Sequence, residues 1–225
     1  YRKVQSQEEK MRKRLADMAS GQDAATQEGS KIKQEEDKDP LMEDSKVKDR
    51  GRLLVNAGIT SALSLCLSTA QSSGARSHRL NAVVCNILLN LARDNQNRGI
   101  IAQDNIKPLL EMIATEKPRE EGGCATDAIL AIARLSIGLN PTVIFSQTRL
   151  LGLIKPISTL LRSENLLEEF EALMALTNFA STQNVQIFNK LKSCGVLELV
   201  EDLQFNDNVM IRRAATELIC NAVRC

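Results

Sequence analysis

LEEFEALMALTNFAS, residues 167–181, decides the fold. Glu168, Glu169 and Glu171 fall in its opening turns, where the positive end of a helix dipole favours carboxylates, and Leu173, Leu176, Phe179 and Ala180 recur at three- and four-residue steps. The spacing predicts one buried helix. Its small residues, Ala172, Ala175 and Ala180, let other helices approach closely, while Asn178 is a polar group that a purely structural helix rarely places among them. Asn178 is therefore the first candidate for function.

The other long helices superimpose on this one. Setting Asn90 of NILLNLA, Arg134 of LAIARLS, Asn178 of MALTNFA and Asn221 of LICNAVR in register gives intervals of 44, 44 and 43 residues. Two- and three-helix solenoid repeats run to roughly 40–47 residues. The shorter helices repeat as well: DNIKPLLEMI (104–113) and GLIKPISTLL (152–161) share an IKP core 48 residues apart, and CGVLELVEDL (194–203) follows without the proline. Pro108 and Pro156 are expected in first helical turns, where a missing N–H costs nothing, and Gly58 is expected in a helix-to-helix turn. No segment reads as a strand. The expected fold is all-α, an armadillo/HEAT-like right-handed superhelical solenoid of about four stacked repeats over 46–225, C-terminally truncated, after a charged leader over 1–45.

Composition narrows the function. Of 225 residues 43% are hydrophobic, only 3% are aromatic and none is Trp, so aliphatic residues and Ala fill the core. Lys+Arg 29 against Asp+Glu 28 provides no field for nucleic acid or acidic membranes, and no apolar run approaches the roughly 20 residues of a membrane span. The six cysteines have no CxxC pair or common spacing, so they are expected to be core residues of a cytoplasmic protein rather than metal ligands or disulfides. In the leader, Lys10, Arg12, Lys13 and Arg14 read as a solvated helix face rather than a nuclear signal. The chain opens on YRKVQSQEE without an initiator Met and reads as a fragment. His78 is the only His and lies in a Ser-rich stretch, and no phosphate-binding glycine loop is present. No enzyme activity, cofactor or metal is expected.

Residues seven before, three before and four after each reference position share its helix face. They form the rows Val83/Asp127/Glu171/Ala214, Ile87/Ala131/Ala175/Leu218, Asn90/Arg134/Asn178/Asn221 and Asp94/Gly138/Thr182/Cys225. Mixed small, polar and acidic rows fit the concave groove that solenoids use for partners. Asn90, Asp127, Ala131, Arg134, Glu171, Ala175, Asn178, Leu218 and Asn221 are accordingly the expected partner-binding residues. An Asn amide can donate to a backbone carbonyl and accept from a backbone N–H, so a ladder of Asn can hold an extended peptide. The alternatives are that each Asn braces a neighbouring loop, and that Arg134 pairs with Asp127 or Glu171.

FEALMALTNFAS (170–181) and MIRRAATELICNAV (210–223), with VNAGITSAL (55–63), NRGIIAQ (97–103) and LNPTVIFSQTRLLGLIKPISTLL (139–161) in the same order, resemble the UCS-domain myosin chaperones of the animal Unc-forty-five type. The resemblance covers about Pro40–Cys225. It implies an armadillo domain that binds the myosin heavy chain motor domain and assists its folding and assembly, without nucleotide or metal. The family's contact with the ninety-kilodalton heat-shock chaperone runs through a TPR domain that nothing here resembles. Where the family has a glycine-rich turn after Gln103, this chain has Asp104-Asn105-Ile106. The competing readings are a generic armadillo adaptor for extended peptides and an enzyme scaffold subunit. Importin-type adaptors interleave Trp with Asn, and Trp is absent here.

Overall fold

Asparagines start four of the helices in the second half of the chain. Asn140, Asn165, Asn184 and Asn208 each sit in extended backbone and accept a hydrogen bond from the N–H two residues on, satisfying a donor that the first helical turn leaves open. Glycines mark other breaks: Gly58 and Gly195 are left-handed, with φ of 86° and 69°, a conformation that costs a residue with a Cβ.

The computed structural model describes residues 45–72, 78–115, 125–163 and 165–224. The leader with its basic cluster, Cys124 and Cys225 fall outside the described residues. The helices form four successive groups. The first is α1 (Ser45–Asn56), α2 (Ile59–Ser72) and α3 (His78–Leu91), and the second is α4 (Asn95–Thr115) and α5 (Ala125–Ser136). The third is α6 (Pro141–Ile144), α7 (Gln147–Ser158), a 3-10 turn over Thr159–Arg162, and α8 (Leu166–Ala180). The fourth is α9 (Val185–Ser193), α10 (Val196–Leu203) and α11 (Val209–Ala222). No strand occurs among the described residues, and no single described helix is long and apolar enough to cross a membrane. His78, from the Ser-rich stretch, opens α3 and is exposed.

The long helix that closes each group packs on the next: α3 on α5, α5 on α8, α8 on α11. The chain is thus an armadillo/HEAT-like solenoid. The expected buried helix is α8, and Ala172, Leu173, Ala175, Leu176, Phe179 and Ala180 are all 0% exposed because α5 flanks one side and α11 the other. Phe145, at the end of α6, sets its ring edge-on to Phe179 with centroids 6.0 Å apart.

One expectation fails here. Pro108 and Pro156 lie inside α4 and α7 rather than in first turns. Pro108 has no N–H for the carbonyl of Asp104, and the Ser64 hydroxyl donates to that oxygen instead, at 2.8 Å. Helix α4 runs unbroken through Asp104-Asn105, over 21 residues in all. The Asp104 carboxylate accepts from the hydroxyls of Thr60 (2.5 Å) and Ser61 (2.8 Å) in the first turn of α2, whose N-terminus it complements, and the Asn105 amide donates to the Thr60 carbonyl.

Leu173→Ser removes a fully buried side chain and buries a hydroxyl. It should cost roughly 2–5 kcal/mol in denaturant melts.

Candidate functional site

A helix leaves its last carbonyls without partners inside the helix. In this stack the side chain at the reference position of one long helix reaches back to supply them. Arg134 Nη1 on α5 donates to the Leu89 carbonyl near the end of α3, at 3.0 Å. The Asn178 amide on α8 donates to the carbonyls of Ser136 (2.6 Å), which ends α5, and Leu139 (2.7 Å), in the turn that follows. Asn221 on α11 makes a longer contact to the Thr177 carbonyl, 3.4 Å. On α3, Asn90 donates to the carbonyl of Asn86 one turn back and is exposed. Asn97 and Arg98 of α4 cover the Leu91 and Ala92 carbonyls, and Arg98 Nη1 also takes that of Ile137.

Arg134 and Glu171 form a buried ion pair across the α5–α8 seam. Arg134 Nε and Nη2 both reach Glu171 Oε1, at 2.7 and 2.6 Å, with the two side chains 8% and 9% exposed. Glu171 Oε2 is buried with no hydrogen bond among the described residues. Burial pushes the Glu171 carboxyl above the ordinary range, with Arg134 opposing. Asp127, on the same seam, is half-buried and has no hydrogen bond or ion pair among the described residues; burial, then the nearby Glu168, raises its carboxyl. Glu168 is held by the Ser163 hydroxyl (2.6 Å) and the Asn165 amide (3.2 Å). Buried Glu169 is pushed up by burial as well.

The expected site residues therefore divide. Ala131, Ala175 and Leu218 are 0% exposed and line no groove. They lie three residues before the reference position, on the side that packs into the stack. The outward row lies four before it: Asn86, Leu130, Met174 and Glu217, exposed or half-buried. Thr126 and Phe170, a turn earlier, are half-buried too, and the strip passes through Asn90, Asn178 and Asn221. Arg134 and Glu171 are buried in each other's company. A different step from the same reference residues would have found the outward row. At the C-terminal ends of α5 and α8 the strip opens into a hollow of about 520 Å³ lined by Gly138, Leu139, Asn140, Pro141, Thr142, Asn178, Ser181 and Thr182.

No protein-family profile matches the chain. Protein unc-45 homolog B of Danio rerio is 33% identical over 180 residues, 78% of this chain and 18% of that protein. UNC-45 from Drosophila melanogaster superimposes with a TM-score of 0.68 at 31% identity, covering 88% of this chain and 23% of that one. A further UNC-45 chaperone, solved for the features critical for binding and folding muscle myosin, superimposes at 0.62 with 24% identity, over 83% of this chain and 20% of that one. The chain spans about a fifth of the length of these relatives.

Arg134→Ala leaves the Glu171 charge buried and alone and should cost about 3–5 kcal/mol, whereas Arg134→Met with Glu171→Leu should regain most of it; urea melts of the three chains test this. The Asp127 carboxyl titrates higher folded than its ordinary 3.8, so its ionisation disfavours the fold above the folded value and is neutral to it below the unfolded one. Asp127→Asn should therefore raise the melting temperature near neutral pH, and the gain should vanish as pH falls below the ordinary carboxylate range.

Proposed function

The chain belongs to the UNC-45 family, and on that footing we propose that it works as part of a myosin-directed chaperone, holding an extended segment of the myosin heavy chain motor domain along the outward strip of α3, α5, α8 and α11 and assisting its folding and assembly. The observation that carries this reading is the half-buried apolar centre of the strip, Leu130, Phe170 and Met174, set between asparagines. Each of these side chains is packed on the core along one edge, so its position is fixed, while its open edge still has water to lose on docking. Apolar area removed from water contributes about 25 cal/mol per Å². Met174 is unbranched and polarizable, which lets one strip accept more than one shape of client side chain.

The asparagines then have different tasks. Asn86 and Asn90 are exposed and bond only within their own helix, so both can turn to a client backbone. Asn178 commits its amide hydrogens to the α5–α6 connection and offers its carbonyl oxygen alone. A generic adaptor would use the same strip for another client, and the choice of client separates the two readings.

The test is binding to a purified striated-muscle myosin motor domain, alongside an unrelated extended peptide. Met174→Glu should weaken motor binding at least about tenfold, measured at a temperature where its melt shows the chain folded, since a carboxylate must lose water there on docking. Asn90→Ala should weaken it about two- to tenfold, the worth of one hydrogen bond, with the melt unchanged. Asn178→Ala should instead lower stability by about 1–3 kcal/mol, because two carbonyls lose their donor. Unchanged motor binding by Met174→Glu would overturn the strip as the client site.

A further inference from the structure

Two hollows adjoin at the C-terminal ends of α5 and α8. The wider, of about 520 Å³, is the one into which the outward strip opens. The narrower, of about 160 Å³, shares Thr142 and Thr182 with it and is walled by Phe145, Leu150 and Ile187, all buried. The hydrogen-bonding groups of the wider hollow are already oriented. Asn178 gives its amide hydrogens to the Ser136 and Leu139 carbonyls, so its side-chain oxygen is left as a fixed acceptor. Asn140 is turned the other way: its oxygen accepts from the N–H and the hydroxyl of Thr142, at 3.0 and 2.8 Å, which leaves its NH2 as a fixed donor. The hydroxyls of Ser181 and Thr182 spend their hydrogens on the main-chain carbonyls of Asn178 and Phe179, at 2.7 Å in each case. Among the described residues no ionisable side chain lines either hollow. Arg98, whose Nη1 lies 3.8 Å from where a Cβ on Gly138 would sit, is committed to the Ile137 carbonyl.

We infer that the two hollows form a groove for the outgoing end of the client segment, in which one client peptide group bridges Asn178 and Asn140 and the aliphatic side chain beside it fills the narrower hollow. The inference rests on the strip being the client site and adds where the segment leaves it and what it carries there. A fixed acceptor beside a fixed donor matches a peptide group, whose N–H donates to Asn178 and whose carbonyl accepts from Asn140. A carboxylate or an ammonium would instead lose water without meeting a counter-charge. The walls of the narrower hollow suit an aliphatic side chain, whose removal from water is the favourable term. Val143 and Val185, 79% and 57% exposed, follow Thr142 and Asn184 in the chain and add apolar surface at the rim for the same segment to cover.

The experiment uses the whole chain and an array of overlapping peptides from the myosin motor domain. Captured peptides should share a Leu, Ile, Val or Met whose truncation to Ala weakens binding about tenfold, the worth of one buried aliphatic side chain. Replacing the N–H of that residue by an ester oxygen should weaken binding about two- to tenfold. Thr142 is exposed, so Thr142→Leu fills the narrower hollow from outside the core. It should cost the parent peptide the same tenfold and the Ala peptide nothing. Asn140→Asp keeps the oxygen that caps α6 and loses the NH2, and should weaken the captured peptides about two- to tenfold. Binding is compared at a temperature where the melts show every variant folded. If Thr142→Leu binds the captured peptides as the parent does while Met174→Glu loses them, the groove is wrong and the strip stands. If Met174→Glu leaves capture unchanged, or no peptide is captured, both fall.

Discussion

Each long helix ends with carbonyl oxygens that its own backbone cannot satisfy, and in this protein the following long helix satisfies some of them. Arg134 reaches Leu89 and Asn178 reaches Ser136 and Leu139, so the reference residue of one repeat closes the helix of the repeat before. This ties the register of the stack to hydrogen bonds as well as to apolar contact, since a helix that slid by one turn would leave those oxygens dry and unbonded. It also explains how Arg and Asn serve at the same position. Both present a planar N–H group, and the longer Arg can keep its reach to α3 while holding Glu171.

The repeat, the helix class and the buried character of α8 were legible in the sequence because they rest on interval and composition. The turn at Gly58 belongs to the same legible part. The outward row was not, for a geometric reason. A residue three before the reference lies about 60° to one side of it, and a residue four before lies about 40° to the other. On an isolated amphipathic helix that difference hardly matters. On α8, covered by α5 on one flank and α11 on the other, the open strip is so narrow that one choice gives Ala175, with no exposure, and the other gives Met174. Helices apolar on almost every side offer no polar face from which to take a bearing.

The two prolines and the length of α4 were hidden for another reason. Proline is costly inside a helix because a carbonyl loses its donor and the ring crowds the preceding turn. At Pro108 the first part of that cost is offset by Ser64, which comes from another helix. Likewise Asp104 and Asn105 keep α4 continuous through bonds to Thr60 and Ser61, partners some forty residues away in the chain. Local propensity describes what a segment does alone, and here tertiary donors change the outcome. The alternative readings of Arg134 as a member of an ion pair and of Asn178 as a brace were available from residue type, but only the packed stack chooses between them.

The ties between long helices lie near their C-terminal ends: Leu89 in a helix ending at Leu91, Ser136 at the last residue of its own, Thr177 three residues short of Ala180. The Arg134–Glu171 pair adds a tie from the end of α5 to the first half of α8, whereas Asp127 and Glu168, nearer the other ends, make no hydrogen bond or ion pair across the two helices among the described residues. The stack is thus pinned along one edge, and a separation of α5 from α8 meets the least resistance from hydrogen bonds at the edge that holds Asp127.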